Sequence, residues 1–362
     1  MPVPLFDTAT PIAGLRERLL ARMAEVLDSG TFVLGPEVEA FEREFAAFLG
    51  ARHVVGVANG TEAITIALRA MGVKEGDDVV VPSFTFYASA EAIPATGARP
   101  VFCDVDPETF CVTADTVKAA LTPRTSAVLA VDLFGGVAPI PEIEALGVPV
   151  LEDAAQAAGA SLRGRCAGTL GRAATFSFFP SKNLGAFGDG GAVVTGDDEV
   201  AERARMLRFH GSRDKRSFEE VGYNSRLDEL QAALLRVELA ELEHWTAGRR
   251  AAARSYEAAG LGELVALPRT VPGGNPAWHL YVVRHPDAEA LEHALGEADI
   301  GARGYYRVPV HRQPAMAGWP PAGELPGTEE AARTHLALPM SSVLSAAQAE
   351  EVTAAVRLAL AA

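Results

Sequence analysis

Short apolar segments that alternate with helical segments limit the fold of this chain more than any other feature. Each segment is apolar throughout and does not alternate with polar residues, which is typical of strands covered on both faces of a parallel sheet. Six such runs cover residues 54–57, 79–81, 101–103, 128–131, 148–151 and 192–194. The sequence therefore predicts an α/β protein with a largely parallel central sheet flanked by helices.

Amphipathic helices are predicted between and beyond these strands. Apolar residues spaced three and four apart mark three of them, over residues 15–27, 38–49 and 227–237. A further long helix is expected to run through about Arg254. Because 362 residues exceed the usual size of one domain, we expect a large domain over residues 1–245 and a smaller one over residues 246–362.

Charge and composition argue against several classes of function. The net charge of −15 disfavours duplex nucleic acid as a partner, because such binding depends on counterion release by a basic face. No apolar run reaches the roughly 18 residues of a membrane-spanning helix, and the N-terminus lacks the pattern of a signal peptide. Three cysteines without Cys-x-x-Cys spacing argue for a reducing compartment and against structural zinc. We expect a cytoplasmic protein without a metal site.

One basic segment departs from this acidic background. Six arginine and lysine residues lie between Arg203 and Arg216. The segment is either a solvated helix end and loop, or a basic entrance that attracts a phosphorylated small molecule.

Lysine is rare in this chain, which directs attention to each one. Of the 32 lysine and arginine residues, only Lys74, Lys118, Lys182 and Lys215 are lysines. An amine can lose its proton and form an imine with a carbonyl group, whereas a guanidinium cannot. Lys182 alone lies between an aromatic pair, Phe178-Phe179, and a glycine-rich stretch. It is therefore the best candidate for a catalytic amine.

Polar residues follow several predicted strands, where ligands of open α/β sheets gather. Asn59-Gly60-Thr61 precedes a helix predicted over residues 63–71. Its free amides are suited to a phosphate, which Gly60 would let approach closely, although an ordinary capped helix fits as well. Asp104 and Asp132 occupy similar positions, and each is equally compatible with a simple helix cap.

A second strand-end motif, Glu152-Asp153-Ala154-Ala155-Gln156, is suited to a pyridoxal cofactor. The Asp153 carboxylate at the end of a buried strand would hold the protonated ring nitrogen, and Gln156 would donate to a ring substituent. Without such a partner a buried aspartate would be costly. Lys182 lies 29 residues further on, and Ser177 is placed to reach a phosphate.

Together these segments resemble the DegT/DnrJ/StrS-type sugar aminotransferases, from about Pro4 to the C-terminal helix. That family has the fold-type I architecture of pyridoxal-phosphate (PLP) transferases, with a smaller α+β C-terminal domain. The specific stretches cover residues 58–68, 82–90, 151–160, 176–195 and 222–234. The late part of the chain is a looser match.

The resemblance implies roles for individual residues. Lys182 matches the lysine that carries PLP and moves protons, Asp153 the partner of the ring nitrogen, and Gln156 the residue beside the ring hydroxyl. The phosphate-binding positions of the family match Gly60, Thr61 and Ser177. Phe86 matches the aromatic residue that stacks on the ring, although a core phenylalanine is the simpler reading.

The resemblance also implies a homodimer with shared active sites. Asn224 matches a phosphate contact that the family delivers from the neighbouring subunit, and the simpler reading of its segment is a capped helix start. Arg226 and the segment from Arg203 to Arg216 are weaker candidates for the pyrophosphate of a nucleotide sugar.

The implied reaction moves an amino group from an amino acid, with L-glutamate favoured, to a keto-sugar linked to a nucleoside diphosphate. The cofactor would cycle between PLP and its amine form, PMP. The sequences of residues 177–185 and 224–228 are more similar to those of the family branch that acts at C3 of a 3-keto (6-deoxy)hexose. They are less similar to those of the enzymes that act at C4 of 4-keto-6-deoxy sugars. Tyr305 and Arg307 stand where many relatives have histidine and proline. The resemblance therefore does not decide which sugar is the substrate.

Tyr305 and Tyr306 are expected to face the sugar, and a packed core tyrosine fits Tyr306 equally well.

Two further functions stay open beside amination of a nucleotide sugar. Lys182 argues against a dehydratase, but a transaminase for cyclitols is compatible with the same residues. A non-catalytic PLP-binding regulator is the other alternative, for which the sequence offers no DNA-binding segment.

Overall fold

Seven strands form the central sheet of the computed structural model, which describes residues 2–361. In chain order all strands are β1 (His53–Val57), β2 (Asp78–Pro82), β3 (Arg99–Cys103), β4 (Thr125–Val131), β5 (Val150–Asp153), β6 (Ser161–Leu162), β7 (Arg165–Cys166), β8 (Ala173–Ser177), β9 (Gly191–Thr195), β10 (Gly274–Asn275), β11 (Tyr281–Arg284) and β12 (His335–Leu338). The spatial order of the central sheet is β1-β9-β8-β5-β4-β2-β3. Two small sheets accompany it, β10-β6-β7 and β11-β12.

The central sheet is largely parallel, as predicted. Strand β9 pairs antiparallel with both β1 and β8, and every other neighbouring pair is parallel. Each of the six apolar runs overlaps one of these strands. Strand β8 was not among the runs, because its sequence Ala-Ala-Thr-Phe-Ser is not continuously apolar.

Helices surround the sheet. They are α1 (Ala9–Ala13), α2 (Arg16–Ser29), α3 (Pro36–Leu49), α4 (Gly60–Ala70), α5 (Tyr87–Glu91), α6 (Ala114–Ala120), α7 (Ile140–Glu144), α8 (Asp198–Leu207), α9 (Glu229–Leu239), α10 (Leu242–Ala258), α11 (Ala288–Glu297), α12 (Pro326–Thr334) and α13 (Ala346–Ala361). Five short 3₁₀ turns lie over Pro94–Thr96, Leu133–Gly135, Leu261–Glu263, Val310–Arg312 and Pro314–Met316. Helix α4 packs on β8 and β9, while α3 and α8 pack on β1.

Most element boundaries shift by one to three residues from those predicted, and two of these shifts place polar residues at the sheet edge. Helix α4 begins at Gly60, three residues early, because the Asn59 side chain accepts a hydrogen bond from the Glu62 N–H and caps it. Strand β5 begins at Val150, after Pro149, which has no N–H to donate to the sheet, and it extends to Asp153.

A second hydrophobic core lies apart from the one beneath the central sheet. It contains Tyr256 of α10, Tyr281 of β11, Leu295 of α11 and Val352 of α13, together with Val3 near the N-terminus. Helix α10 runs from Leu242 to Ala258, through the expected domain boundary at residue 245. The division into two domains at that residue stays a prediction.

Within residues 2–361, none of the helices combines the length and the apolar character that crossing a bilayer requires.

Candidate active site

A cavity of about 770 Å³ lies at the carboxyl ends of the parallel strands. Val131 of β4, Asp153 of β5 and Ser177 of β8 reach it from the sheet, and Gly60 reaches it from the start of α4. This edge is where open α/β sheets bind ligands, and the volume suits a small-molecule site. Nine of the predicted site residues line it, namely Gly60, Thr61, Phe86, Asp153, Gln156, Ser177, Lys182, Tyr305 and Tyr306.

The structure does not bring the other two predicted site residues to this cavity. Asn224 is exposed, and its main chain forms an isolated antiparallel β-bridge with that of Phe209. Arg226 is half-buried. Neither is among the residues of this chain that line the cavity.

Lys182 and Asp153 form the charged centre of the cavity. Desolvation by the surrounding protein lowers the pKa of the Lys182 amine to about 8, and the negative charge of Asp153 offsets part of that shift. Burial raises the pKa of the Asp153 carboxyl, against the hydrogen bond from Ser89 and the positive charge of Lys182. A lysine with a pKa near 8 supplies a neutral amine in the physiological range.

Short contacts hold the Asp153 carboxylate in place. Ser89 Oγ donates to Oδ2 at 2.8 Å, and the Ala155 N–H donates to Oδ1 at 3.2 Å. Thr85 Oγ1 lies 3.1 Å from Ser89 Oγ and fixes that hydroxyl in turn. Residue-level reasoning missed Ser89 and Thr85, although both lie in the stretch 82–90 that the family resemblance marks as specific.

The neighbouring carboxylate, Glu152, has a structural part instead. It points away from the cavity and accepts hydrogen bonds from the Gly168 and Leu170 N–H groups at 2.6 and 2.9 Å. Successive side chains of a strand face opposite sides of the sheet, so only Asp153 is directed to the site.

The start of α4 is suited to an anion. The first N–H groups of a helix lack intrahelical partners, and those of Gly60 and Thr61 lie at the cavity wall. A Cβ at Gly60 would lie only 2.7 Å from Ser177 Cβ, so glycine is required for the helix start and β8 to approach this closely. The amides and the Ser177 hydroxyl therefore share one small space.

These features fit pyridoxal phosphate. The start of α4 could bind the phosphate. The buried Asp153 carboxylate could pair with the protonated ring nitrogen, which would neutralise the charge of the carboxylate. The Lys182 amine matches the aldehyde carbon. Phe86 is 56% exposed and lines the cavity, so it is not a core phenylalanine. Its ring is free to cover a planar ligand.

Gln156 is joined to Tyr306 across the cavity wall. Gln156 Oε1 accepts from the Phe134 N–H at 2.6 Å, and its Nε2 donates to the Tyr306 hydroxyl at 3.3 Å. The Tyr306 N–H donates to His335 Nε2 at 3.1 Å, and its ring stacks on Phe134 with centroids 5.8 Å apart. Tyr306 is thus both packed and cavity-lining, so the two alternatives for it are not exclusive.

Much of the basic segment from Arg203 to Arg216 is neutralised locally. Arg203 pairs with Glu220 at 2.8 Å, and Arg208 pairs with Glu42. Arg213 is also paired with carboxylates. These three guanidinium groups are engaged within the chain, which argues against the reading of the segment as a basic entrance.

The other aspartates at strand ends do not enter the cavity lining. Asp104 accepts from the Gly327 and Thr328 N–H groups at 2.9 and 2.6 Å and caps α12. Asp132 accepts from the Ala138 N–H at 2.8 Å. Among residues 2–361, no group of three or more histidine, cysteine or acidic side chains is arranged to hold a metal ion.

Comparison with known proteins identifies the family to which the chain is similar. The model of the DegT/DnrJ/EryC1/StrS aminotransferase family matches residues 14–357. A dTDP-3-amino-3,4,6-trideoxy-alpha-D-glucose transaminase of Streptomyces venezuelae is 48% identical over 364 residues, which cover 98% of this chain and 95% of the relative. A pleiotropic regulatory protein of Geobacillus stearothermophilus is 44% identical over 361 residues, which cover 97% of each chain.

A solved structure gives the same result for the fold. S. venezuelae DesV, determined in complex with a ketimine intermediate, matches with a TM-score of 0.95 at 47% identity, covering 99% of this chain and 98% of that one. The expected fold class is thereby confirmed. The chain belongs to the DegT/DnrJ/EryC1/StrS aminotransferase family.

Proposed function

We propose that this protein is a PLP-dependent aminotransferase that moves an amino group from L-glutamate to C3 of a nucleoside-diphosphate-linked 3-keto (6-deoxy)hexose. The observation that carries the proposal is the placement of Lys182 and Asp153 in one cavity of a chain that belongs to an aminotransferase family. The amine and the carboxylate are the two groups that this cofactor chemistry requires from the protein.

Several residues would hold the cofactor. Asp153 would hold the ring nitrogen and keep it protonated, while Ser177 and the amides of Gly60 and Thr61 would bind the phosphate. Phe86 would cover the ring. When bound, PLP supplies an electron sink that allows a proton to leave the carbon bearing the amino group, and PMP stores that amino group between the two half-reactions.

Lys182 supplies the proton transfer. With a pKa of about 8, part of the Nζ population is neutral near pH 7, and only the neutral amine can act as a nucleophile or a base. Once protonated, the same Nζ would return the proton to a carbon of the bound substrate or cofactor. The Asp153 carboxylate favours the protonated form of Nζ, so that both states are populated.

C3 is the preferred site of amination. The S. venezuelae relative is named a transaminase of a dTDP-linked 3-amino sugar and shares nearly half of its residues with this chain. Tyr305 and Tyr306 lie in the cavity wall and would face the sugar. Amination at C4 of a 4-keto-6-deoxy sugar is the competing reaction, because the same residues do not discriminate against it.

The proposed assembly is a homodimer with shared active sites, working in the cytoplasm. Asn224 is exposed, which leaves it available to bind phosphate in a partner's cavity. Arg226 would bind the pyrophosphate of the nucleotide sugar. The three free cysteines accord with a reducing compartment.

A regulatory protein that binds PLP without turnover is a second candidate, since the G. stearothermophilus relative is named a pleiotropic regulatory protein. Turnover separates the two. The purified protein would be incubated with L-glutamate and a panel of dTDP- and UDP-linked 3-keto and 4-keto sugars, and the position of the new amine determined by NMR.

The proposal predicts a 3-amino product from at least one 3-keto sugar and release of 2-oxoglutarate. Exclusive formation of 4-amino products would reassign the reaction to C4. A protein that binds PLP but forms no amino sugar with any donor would favour the regulatory reading.

A further inference from the structure

His279 lies in the wall of the active-site cavity but has no role in the function described above. It precedes β11 and is only 4% exposed, yet it lines the same cavity as Lys182. Sequence reasoning missed it because it stands in the late part of the chain, with no neighbouring motif to mark it.

The main chain around His279 is fixed from several sides. Four hydrogen bonds hold it: Ala277 N–H to Gly135 O at 2.8 Å, Leu280 N–H to Phe134 O at 3.1 Å, Asn183 Nδ2 to Ala277 O at 3.0 Å, and Arg249 Nη1 to Trp278 O at 3.1 Å. Asn183 is the residue after Lys182, so the lysine loop itself positions this segment. The position of His279 is therefore coupled to that of the catalytic amine.

The segment is also held in an unfavourable conformation. Trp278 has a φ of 46°, a left-handed conformation that a bulky side chain rarely adopts. Gly135 has a φ of 92°, and a Cβ there would lie 2.5 Å from the main-chain nitrogen of His279. Strain of this kind persists where the surrounding structure enforces it, and it is concentrated at ligand-binding positions.

The imidazole of His279 lacks a polar partner. Its Nδ1 is buried and has no hydrogen-bond partner among residues 2–361. Burying a polar group without a partner costs free energy, so the surrounding main chain must hold the ring in this position. Nε2 is not closed off in this way, which leaves it as the ring nitrogen that a ligand in the cavity can reach. The ring of Phe6 lies near it, at a centroid distance of 6.1 Å.

The charge state of the ring limits what it can bind. Burial, with the positive charges of Lys182 and Arg249, holds the pKa of His279 well below its usual value. The ring is therefore neutral at physiological pH, and its Nε2 either donates or accepts a hydrogen bond, according to the tautomer. A sugar hydroxyl matches either tautomer, whereas the carboxylate of an amino-acid donor is better matched by a cation.

We infer that His279 is a substrate-binding residue that forms a hydrogen bond with a hydroxyl group of the keto-sugar, on the side of the cavity next to Lys182. The inference rests on the proposed aminotransfer to a sugar. It assigns recognition of the sugar to the segment before β11, in addition to the tyrosines at positions 305 and 306.

Two variants of His279 test this assignment in separate half-reactions. His279→Leu removes the polar atoms, and His279→Gln replaces them with an amide that can still donate and accept. The half-reaction with L-glutamate should change less than about twofold in either variant. The half-reaction with the dTDP-linked 3-keto sugar should lose about 10- to 100-fold in kcat/KM in the leucine variant and recover in part in the glutamine variant.

A binding measurement provides a readout that does not depend on turnover. Calorimetry would compare dTDP with the dTDP-linked 3-amino sugar on wild type and on both variants. The affinity for dTDP should stay unchanged, and only the affinity for the amino sugar should fall in His279→Leu. An unchanged melting temperature and an unchanged absorption spectrum of the bound cofactor would establish that the variants are folded and loaded.

Three outcomes would overturn the assignment: equal losses in both half-reactions, a loss with L-glutamate alone, or no loss in either one. The first would place His279 with Lys182 or the cofactor, and the second with the donor carboxylate. Failure of the proposed function is distinct, because the wild type itself would then react with L-glutamate but aminate no sugar. In that case, weaker binding of dTDP by His279→Leu would also overturn the assignment.

Discussion

Lys182 combines two properties that ordinary surface lysines lack. It lies at the wall of a cavity, with its pKa lowered to about 8 by desolvation, and it is accompanied by a buried carboxylate, Asp153. The first property provides a neutral amine, and the second provides a partner for a cationic ring. Their coincidence in one cavity is stronger evidence for catalysis than either alone.

Replacing Lys182 tests its assignment directly. Lys182→Ala should fold normally but lose at least about 1,000-fold in aminotransfer, because no other lysine lines the cavity among residues 2–361. Lys118→Ala is the matched control, since Lys118 is exposed on α6, and it should keep wild-type activity. Retention of the absorption of lysine-bound cofactor in Lys182→Ala would contradict the assignment.

The rarity of lysine permits a direct titration of the same group. Reductive ¹³C-methylation of the apoprotein would give few NMR signals, and the Lys182 signal is identified by its absence in Lys182→Ala. Its midpoint should lie near pH 8, the neutral form being present above that value. Asp153→Asn removes a negative charge that raises the pKa, so the midpoint should move to lower pH. A midpoint that is unchanged in Asp153→Asn would show that the two groups do not interact.

At the level of elements, the start of α4 and the end of β8 approach each other closely in the site. Gly60 makes this approach possible, because any Cβ there would meet Ser177 at 2.7 Å. The interaction brings a helix N-terminus and a hydroxyl to one anion.

Gly60→Ala should therefore weaken cofactor binding while leaving the fold intact. We expect about a tenfold rise in the Kd for PLP, measured by fluorescence titration of the apoprotein, since Ser177 must shift to admit the methyl group. Gly14→Ala is the control, because a Cβ at Gly14 would meet no atom within 4 Å. Equal affinities of Gly60→Ala and wild type for PLP would contradict the assignment of the phosphate site to the start of α4.

Elements with a strong local pattern were predictable, and those defined by distant partners were not. The apolar runs of β1, β2 and β4 are encoded in a few adjacent residues. The antiparallel direction of β9 is not, because β9 and the parallel strands have the same apolar character.

The same distinction holds for the site. Lys182 and Asp153 stand in recognisable local motifs, whereas Ser89 is useful only because folding places it 2.8 Å from a carboxylate 64 residues away. His279 acquires its position through hydrogen bonds of its neighbours to a 3₁₀ turn more than 100 residues earlier. Such long-range pairings have no signature in a single sequence.

For the whole molecule, the shared active site is the main prediction that a single chain leaves open. Asn224 does not line the cavity of its own subunit, so any function in cofactor binding requires a second copy.

Mixing two inactive variants distinguishes the arrangements. If the protein is the proposed homodimer, the Lys182→Ala and Asn224→Ala proteins would be dissociated, mixed and reassociated. If Asn224 acts across the interface, each mixed dimer contains one intact site, and activity should return to about a quarter of the wild-type value. If Asn224 acts within its own subunit, both sites of the mixed dimer are defective and no activity returns. Size-exclusion chromatography of each homodimer is the control for assembly.

The central claim, that the cavity around Lys182 carries PLP for aminotransfer, is tested most directly by the absorption spectrum of the purified protein with PLP, recorded before and after L-glutamate is added. The account predicts a visible band of lysine-bound cofactor that gives way to the shorter-wavelength band of PMP, with one 2-oxoglutarate released per site. Absence of any band after PLP is supplied, or a band that no amino donor changes, would contradict it.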